Sequence, residues 1–151
     1  MTKFEPRDPD FVAKVRESFN RQTAMQTLGA VLISIEPGLV EIEMPFRADL
    51  TQQHGFVHVG IVTAILDSAC GYAAFSLNSP DTTVLTVEYK VNFVAPAKGD
   101  RFMARGEVVR PGATVTVCKG DVLAYDGDEE KLVATMLMTI MTMPDRPDLA
   151  G

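Results

Sequence analysis

The chain has 151 residues, 46% hydrophobic and 23% charged, with a formal net charge of -6. That is enough for one domain with its own core, and too apolar for a disordered chain. The acidic balance leaves no bulk basic surface for nucleic acid, and two cysteines, Cys70 and Cys118, supply neither a disulfide framework nor a zinc cluster.

The first residues, MTKFEPRDPDF, lack the apolar core of an export signal, so a cytoplasmic location is expected. Residues 1–8 read as a loose arm. Asp8 or Asp10 is placed to cap a helix, and Phe11, Val12, Val15 and Phe19 recur at helical spacing to about Asn20 or Arg21. Residues 1–23 are therefore expected to form an arm and a short helix. Ala30–Glu36 reads as a strand, Pro37-Gly38 as a turn, and Leu39–Met44 (LVEIEM) as a strand with one wet face, stopped by Pro45. A polar loop from Arg47 to His58 follows.

The segment from Val57 to Leu77 is too long for a typical strand and apolar nearly all round. An amphipathic surface helix would show a polar stripe, so this one is expected to lie buried inside the fold. Its His58, Asp67 and Ser68 argue against a membrane span. Four strands are expected after it, at Val84–Val94, Phe102–Arg110, Thr114–Tyr125 and Leu132–Met143, with Asp126-Gly127 as a hairpin turn and 144–151 as a frayed tail. The order predicts a single α+β domain over 1–151, an antiparallel sheet wrapped around a central buried helix. A sheet covers such a helix on one side only, so a second copy is expected to help close the core.

Asp67 is the anomaly on that helix. Burying even a neutral polar group without partners costs ~2–7 kcal/mol. Two readings are open on the residues alone. In one, Thr63 or Ser68 bonds the carboxylate and pins the helix. In the other, a desolvated carboxylate with a raised pKa serves as general base or nucleophile. His58 lies nine residues earlier, half a turn out of phase at ~100° per residue, so the two would cooperate only across a subunit interface. Taken alone, His58 reads as a helix-start residue bonded to a loop carbonyl. The free N–H groups at Val59-Gly60 suit an anion or a developing oxyanion, and Gln52 or Gln53 in the loop before them can donate amide N–H bonds. Cys70 lacks a cationic neighbour and reads as a small buried hydrophobe; Ser68 lacks a nucleophile-elbow setting. No motif for a cofactor or a metal is present.

The run QQHGFVHVGIVTAILDSACGYAA resembles the signature of PaaI-type hotdog thioesterases: an Asn or Gln, six residues on an HGG, and an Asp nine residues after the His. Gln52, His58 and Asp67 keep both spacings. TVEYKVNFVAPAKGD and VVRPGATVTVCKGDV resemble the family's later strands, so the likeness covers roughly residues 24–143. It implies a hotdog fold, a homodimer or homotetramer, no cofactor, and hydrolysis of acyl-CoA. Asp67 would be general base or nucleophile. The Val59 N–H and the Gln52 amide would polarise the thioester carbonyl, and His58 would hold the site or the leaving thiolate. Thr86 would orient the attacking water, and Arg110, Gly112 and Thr114 would contact the CoA nucleotide. Two positions depart from the pattern: Val59 replaces the first Gly of the HGG, and Ala113 stands where relatives often carry Lys or Arg. The rival readings are a hotdog hydratase or dehydratase and a non-catalytic acyl-CoA or lipid-binding module.

Overall fold

The structure is a computed structural model, and it describes residues 3–146, 148, 149 and 151. Helices α1 (Phe11–Arg21) and α2 (Thr23–Thr27) lead into strands β1 (Val31–Glu36) and β2 (Leu39–Pro45). Helix α3 (Val59–Phe75) follows, then β3 (Thr82–Phe93), β4 (Arg101–Arg110), β5 (Val115–Asp126) and β6 (Glu129–Pro144). The six strands form one sheet in the order β1-β2-β4-β5-β6-β3, every neighbouring pair antiparallel. The sheet curls around α3, as the element order predicts.

The sheet grips α3 because two glycines let it come close. Gly106 and Gly120 are register partners on β4 and β5. A Cβ at Gly106 would sit 2.4 Å from the backbone of Ala69 and Cys70, and one at Gly120 would sit 2.6 Å from the Cys70 Sγ and from Leu66. Real Cβ atoms do not approach backbone so closely, so a glycine in a strand here marks helix-to-sheet contact. Around it, Ile65, Leu66, Ala69 and Cys70 pack with Ile42, Phe102, Ala104, Val122 and Met138, all fully buried. Gly106→Ala should therefore destabilise the fold by about 2–3 kcal/mol. Thermal unfolding followed by circular dichroism checks this, with an expected fall in Tm of roughly 5–10 °C.

Ten of the seventeen α3 residues are buried. Val59 and Gly60 are exposed in the first turn, and the other five exceptions, Ile61, Ala64, Asp67, Ser68 and Gly71, are half-exposed and fall on one stripe. The helix is therefore enclosed on one side only. The last strand of the sheet, β3, is likewise half-covered. It pairs with β6 alone, leaving a twelve-residue edge on which Leu85, Val87, Tyr89 and Phe93 are exposed. A bulge between Thr86 and Glu88 inserts Val87 as an extra residue. Thr86 opposes buried Ile140 and Tyr89 opposes buried Met138, so both face inward despite their odd separation.

Several local features differ from expectation. The arm is docked over residues 3–8: Phe4 packs on the core, the Arg7 N–H donates to the Leu77 carbonyl, and Asp8 is buried beside Lys14 at 3.5 Å. Asp10 is the N-cap of α1 without a side-chain cap bond; the Asp8 carboxylate accepts the Asp10 N–H instead. Helix α2 is too short to show a period. The last hairpin turns on Gly127-Asp128, one residue later than the Asp-Gly pair suggests, because Asp126 still pairs with Glu129. Gly127, with φ +60°, takes the first turn position. Of the tail, Pro147 and Ala150 lie outside the described residues; β6 continues to Pro144. Among the described residues no helix is long and apolar enough to cross a membrane.

Candidate active site

The start of α3 is organised by the loop before it. Thr51 and Val57 form an isolated bridge, the Gln52 N–H donates to the Phe56 carbonyl at 2.8 Å, and Gly55 turns the tip at φ +84°. The Gln52 Oε1 accepts the N–H groups of His54 (2.6 Å) and Phe56 (3.4 Å). Only a carbonyl oxygen can take two N–H donors, so the amide orientation is fixed and its NH2 is the end left to donate. Gln53 is exposed.

His58 is the N-cap of α3. Its N–H donates to the Leu50 carbonyl at 2.9 Å, the loop-carbonyl bond expected of a helix-start residue. Its ring adds a second link: Nδ1 accepts the Gly60 N–H at 2.9 Å, so an uncharged His58 carries its proton on Nε2. The His58 carbonyl accepts the N–H groups of Ile61 and Val62. Of the donors at the helix start, the Val59 N–H alone has no partner among the described residues. The Val59 residue is 44% exposed, so its side chain flanks this donor without filling the core.

Asp67 lies nine residues on, about 13–14 Å along the axis and on the opposite face. Its Oδ1 accepts a hydrogen bond from the Thr86 Oγ1 at 2.8 Å, across from β3. The two hydroxyls offered by the pinning reading go elsewhere: Thr63 donates to the Val59 carbonyl and Ser68 to the Gln22 Oε1, each at 2.8 Å. Burial raises the Asp67 pKa above the ordinary carboxylate value, and the Thr86 bond offsets this only in part. Thr86 has spent its one hydrogen on Asp67, so its lone pairs remain to accept from water. The carboxylate opens on a cleft of about 270 Å³ between α3, α1 and the first half of β3.

A polar cluster in the same cleft had no sequence signal beyond Tyr72, a phenol on an apolar helix. Ser68 donates to Gln22, the Gln22 Nε2 donates to the Tyr72 hydroxyl at 3.4 Å, and the Ser18 and Tyr72 hydroxyls lie 3.2 Å apart. Gln22 sits where α1 breaks into α2, an elbow that the periodicity of α1 does not reach.

The other sequence-derived positions separate from Asp67. Arg110 ends β4 exposed and makes no ion pair among the described residues. The Gly112 N–H donates to the Thr116 Oγ1 at 3.4 Å, and the Thr114 carbonyl accepts the Thr142 N–H at 2.7 Å. Gly112 lines a different hollow, with Phe4, Arg7 and Asn78. Cys70 is buried and its thiol is pushed up by that burial, which suits a packing residue and not a nucleophile.

Comparison with known proteins bears on what this arrangement does. Residues 54–131 match the family model described as the thioesterase superfamily. A crystal structure of a thioesterase family protein from Silicibacter pomeroyi superposes with a TM-score of 0.88 and 53% identity, covering 89% of this chain and 99% of that one. A Saccharolobus solfataricus protein, named provisionally as an esterase, is 30% identical over 78% of this chain and 84% of its own length. The 1,4-dihydroxy-2-naphthoyl-CoA hydrolase of Listeria monocytogenes is 22% identical over 80% of this chain and 96% of its own length.

Proposed function

As the chain belongs to the thioesterase superfamily, with its hotdog fold, we propose that it hydrolyses an acyl-CoA thioester to the free acid and CoA, with Asp67 as the reacting carboxylate. The observation that carries this reading is the Asp67 carboxylate itself: half-buried, raised in pKa, held by Thr86, and open to a cleft. The naphthoyl-CoA hydrolase activity named for the Listeria relative supports CoA as the carrier.

In the base route, Asp67 takes a proton from water as the water oxygen bonds to the thioester carbon. Thr86 orients both the carboxylate and the water. The carbonyl oxygen gains charge and is met by the Val59 N–H and the Gln52 NH2. The C–S bond then breaks, and the CoA thiolate leaves and takes up the proton. In the nucleophile route Asp67 attacks the thioester carbon, the C–S bond breaks and the CoA thiolate leaves, and water cleaves the resulting mixed anhydride. Single turnover in heavy-oxygen water tests for the second route, since Asp67 takes up the label only when water attacks the Asp67 carbonyl carbon of the anhydride. His58 acts as a positioning residue in either case, because its ring fixes the first turn of α3. The Arg110 guanidinium and the Thr114 hydroxyl, flanking the Gly112 turn, offer donors for the nucleotide end of CoA.

The site is proposed to be shared between two copies. One thioester cannot reach both Asp67 and the Val59 N–H of the same chain, since they lie eight residues apart on α3, about 12 Å and more than two helical turns along the axis. The open edge of β3 and the uncovered stripe of α3 provide the surface for a second copy. The test is complementation. Asp67→Asn and Gln52→Ala proteins, each inactive, are unfolded, mixed and refolded. If the site is shared, thiol release returns to roughly a quarter of the native level, because half the dimers are hybrids with one intact site. No recovery, with hybrids shown by tagged pull-down, sinks the shared site.

A further inference from the structure

The cleft beside Asp67 has a polar wall that the hydrolysis mechanism does not use. From Asp67 the cleft runs along α3 for about 7–8 Å, five residues of helix, before reaching Tyr72. There the α1–α2 elbow lines one side with Ser18 and Gln22, and beyond it the lining continues to Phe75, Thr83, Leu149 and Gly151. At about 270 Å³ the space lies below the range of about 300–1,000 Å³ that holds larger ligands. It suits a short acyl group.

The chemistry of the wall is specific. Ser68 has given its hydrogen to Gln22, so it presents only lone pairs. The Gln22 Nε2 donates to the Tyr72 hydroxyl, whose own hydrogen is free to go to Ser18 or to a ligand. The wall can thus accept one hydrogen bond and donate another, which matches a hydroxyl. No Lys, Arg or His lines the cleft among the described residues, while Asp67 brings a negative charge. Lys14 lies over the Phe75 ring but is held by Asp8 and the Asn78 carbonyl. Arg21 lies near the Tyr72 hydroxyl but is paired with Glu17, so a carboxylate at the far end of the acyl group would find no unpaired counter-charge.

Resting on the proposed hydrolysis, we infer that the Ser18–Gln22–Ser68–Tyr72 cluster is a specificity element that selects a short acyl group whose far end carries a neutral hydrogen-bonding group. Gln22 is its centre, joining the elbow to the residue next to Asp67.

The experiment compares CoA thioesters of straight-chain acids from acetyl to octanoyl with isosteres ending in a hydroxyl or a carboxylate. Thiol release gives kcat/KM for native protein, Gln22→Leu and Ser68→Ala, each normalised to acetyl-CoA to remove general losses. Native protein should prefer the hydroxyl-ended chain over its alkyl isostere by about tenfold at one chain length, the effect of one net hydrogen bond. It should discriminate against the carboxylate-ended chain, and the hydroxyl preference should collapse in both variants. A native ratio near one, or one that persists in both variants, overturns the inference while leaving hydrolysis standing. If Gln22→Leu fails its melting control, Ser68→Ala decides, since it removes one hydroxyl and adds no volume. Absence of thiol release from every thioester overturns hydrolysis instead. The same ratio is then read from calorimetric affinities of the intact thioesters, with the same criteria.

Discussion

Replacing Asp67 by Asn should lower kcat/KM for thioester hydrolysis by about 10²–10⁴-fold, the span of a lost general base. The fold should survive, because an Asn carbonyl can accept the same Thr86 hydrogen bond that Oδ1 accepts now. Native activity should rise with pH through the Asp67 pKa and then flatten, since the ionised form reacts. Its acid limb should lie above that of an ordinary carboxylate, because burial raises the group. The same shift has a stability consequence of fixed sign. A carboxyl whose pKa is higher folded than unfolded binds more protons in the folded state between the two values. Stability from this group is therefore present below the unfolded pKa and lost as pH rises through the folded one. At neutral pH the native chain carries an unfavourable half-buried charge, and Asp67→Asn should melt at a higher temperature than native protein. The gap should shrink as pH falls. A variant that keeps its hydrolysis, or that melts lower at neutral pH, contradicts the assignment.

Charging the open edge of β3 should disassemble the protein and silence it. Val87 is 54% exposed, and Tyr89 is 42% exposed on the inward face of the same strand. Unprotected strand edges of this length pair with other chains, and natural proteins suppress such pairing with lysines. Val87→Lys combined with Tyr89→Lys is expected to shift sedimentation to the monomer and to reduce thiol release by at least about 10²-fold. Neither residue is a partner in the Asp67–Thr86 hydrogen bond, so the loss is expected to be that of the second copy. An unchanged sedimentation coefficient, or a fully active monomer, would contradict the shared site.

Much of the fold was legible because its signals are local. The apolar girth of Val59–Phe75 marked a buried helix, and turn residues at Pro37-Gly38 and Pro111-Gly112 punctuated the strands. What was not legible depends on contacts between distant residues. Gly106 and Gly120 read as weak points in strands until α3 is placed against them. The bulge at Val87 leaves no mark in composition, yet it aligns Thr86 and Tyr89 on one face. Phe4 looked like part of an arm because its partner, Gly38, lies elsewhere in the chain. The site divides the same way. Asp67 was conspicuous as a carboxylate among apolar residues. That the Val59 N–H, and not the Gly60 N–H, is left without a partner among the described residues needed the His58 ring seen on Gly60, and Gln22 needed the elbow.

The tight seat of α3 on β4 and β5 also sets which wall of the cleft can yield. A helix whose backbone would meet any added Cβ at 2.4 Å has no slack on its inner side. Sequence change that adapts the protein to bulkier acyl groups must therefore accumulate on the opposite bank, at the α1–α2 elbow and along the first half of β3. Mutational libraries confined to those two segments should broaden the substrate range, and libraries on the glycine pair should yield mainly unfolded protein.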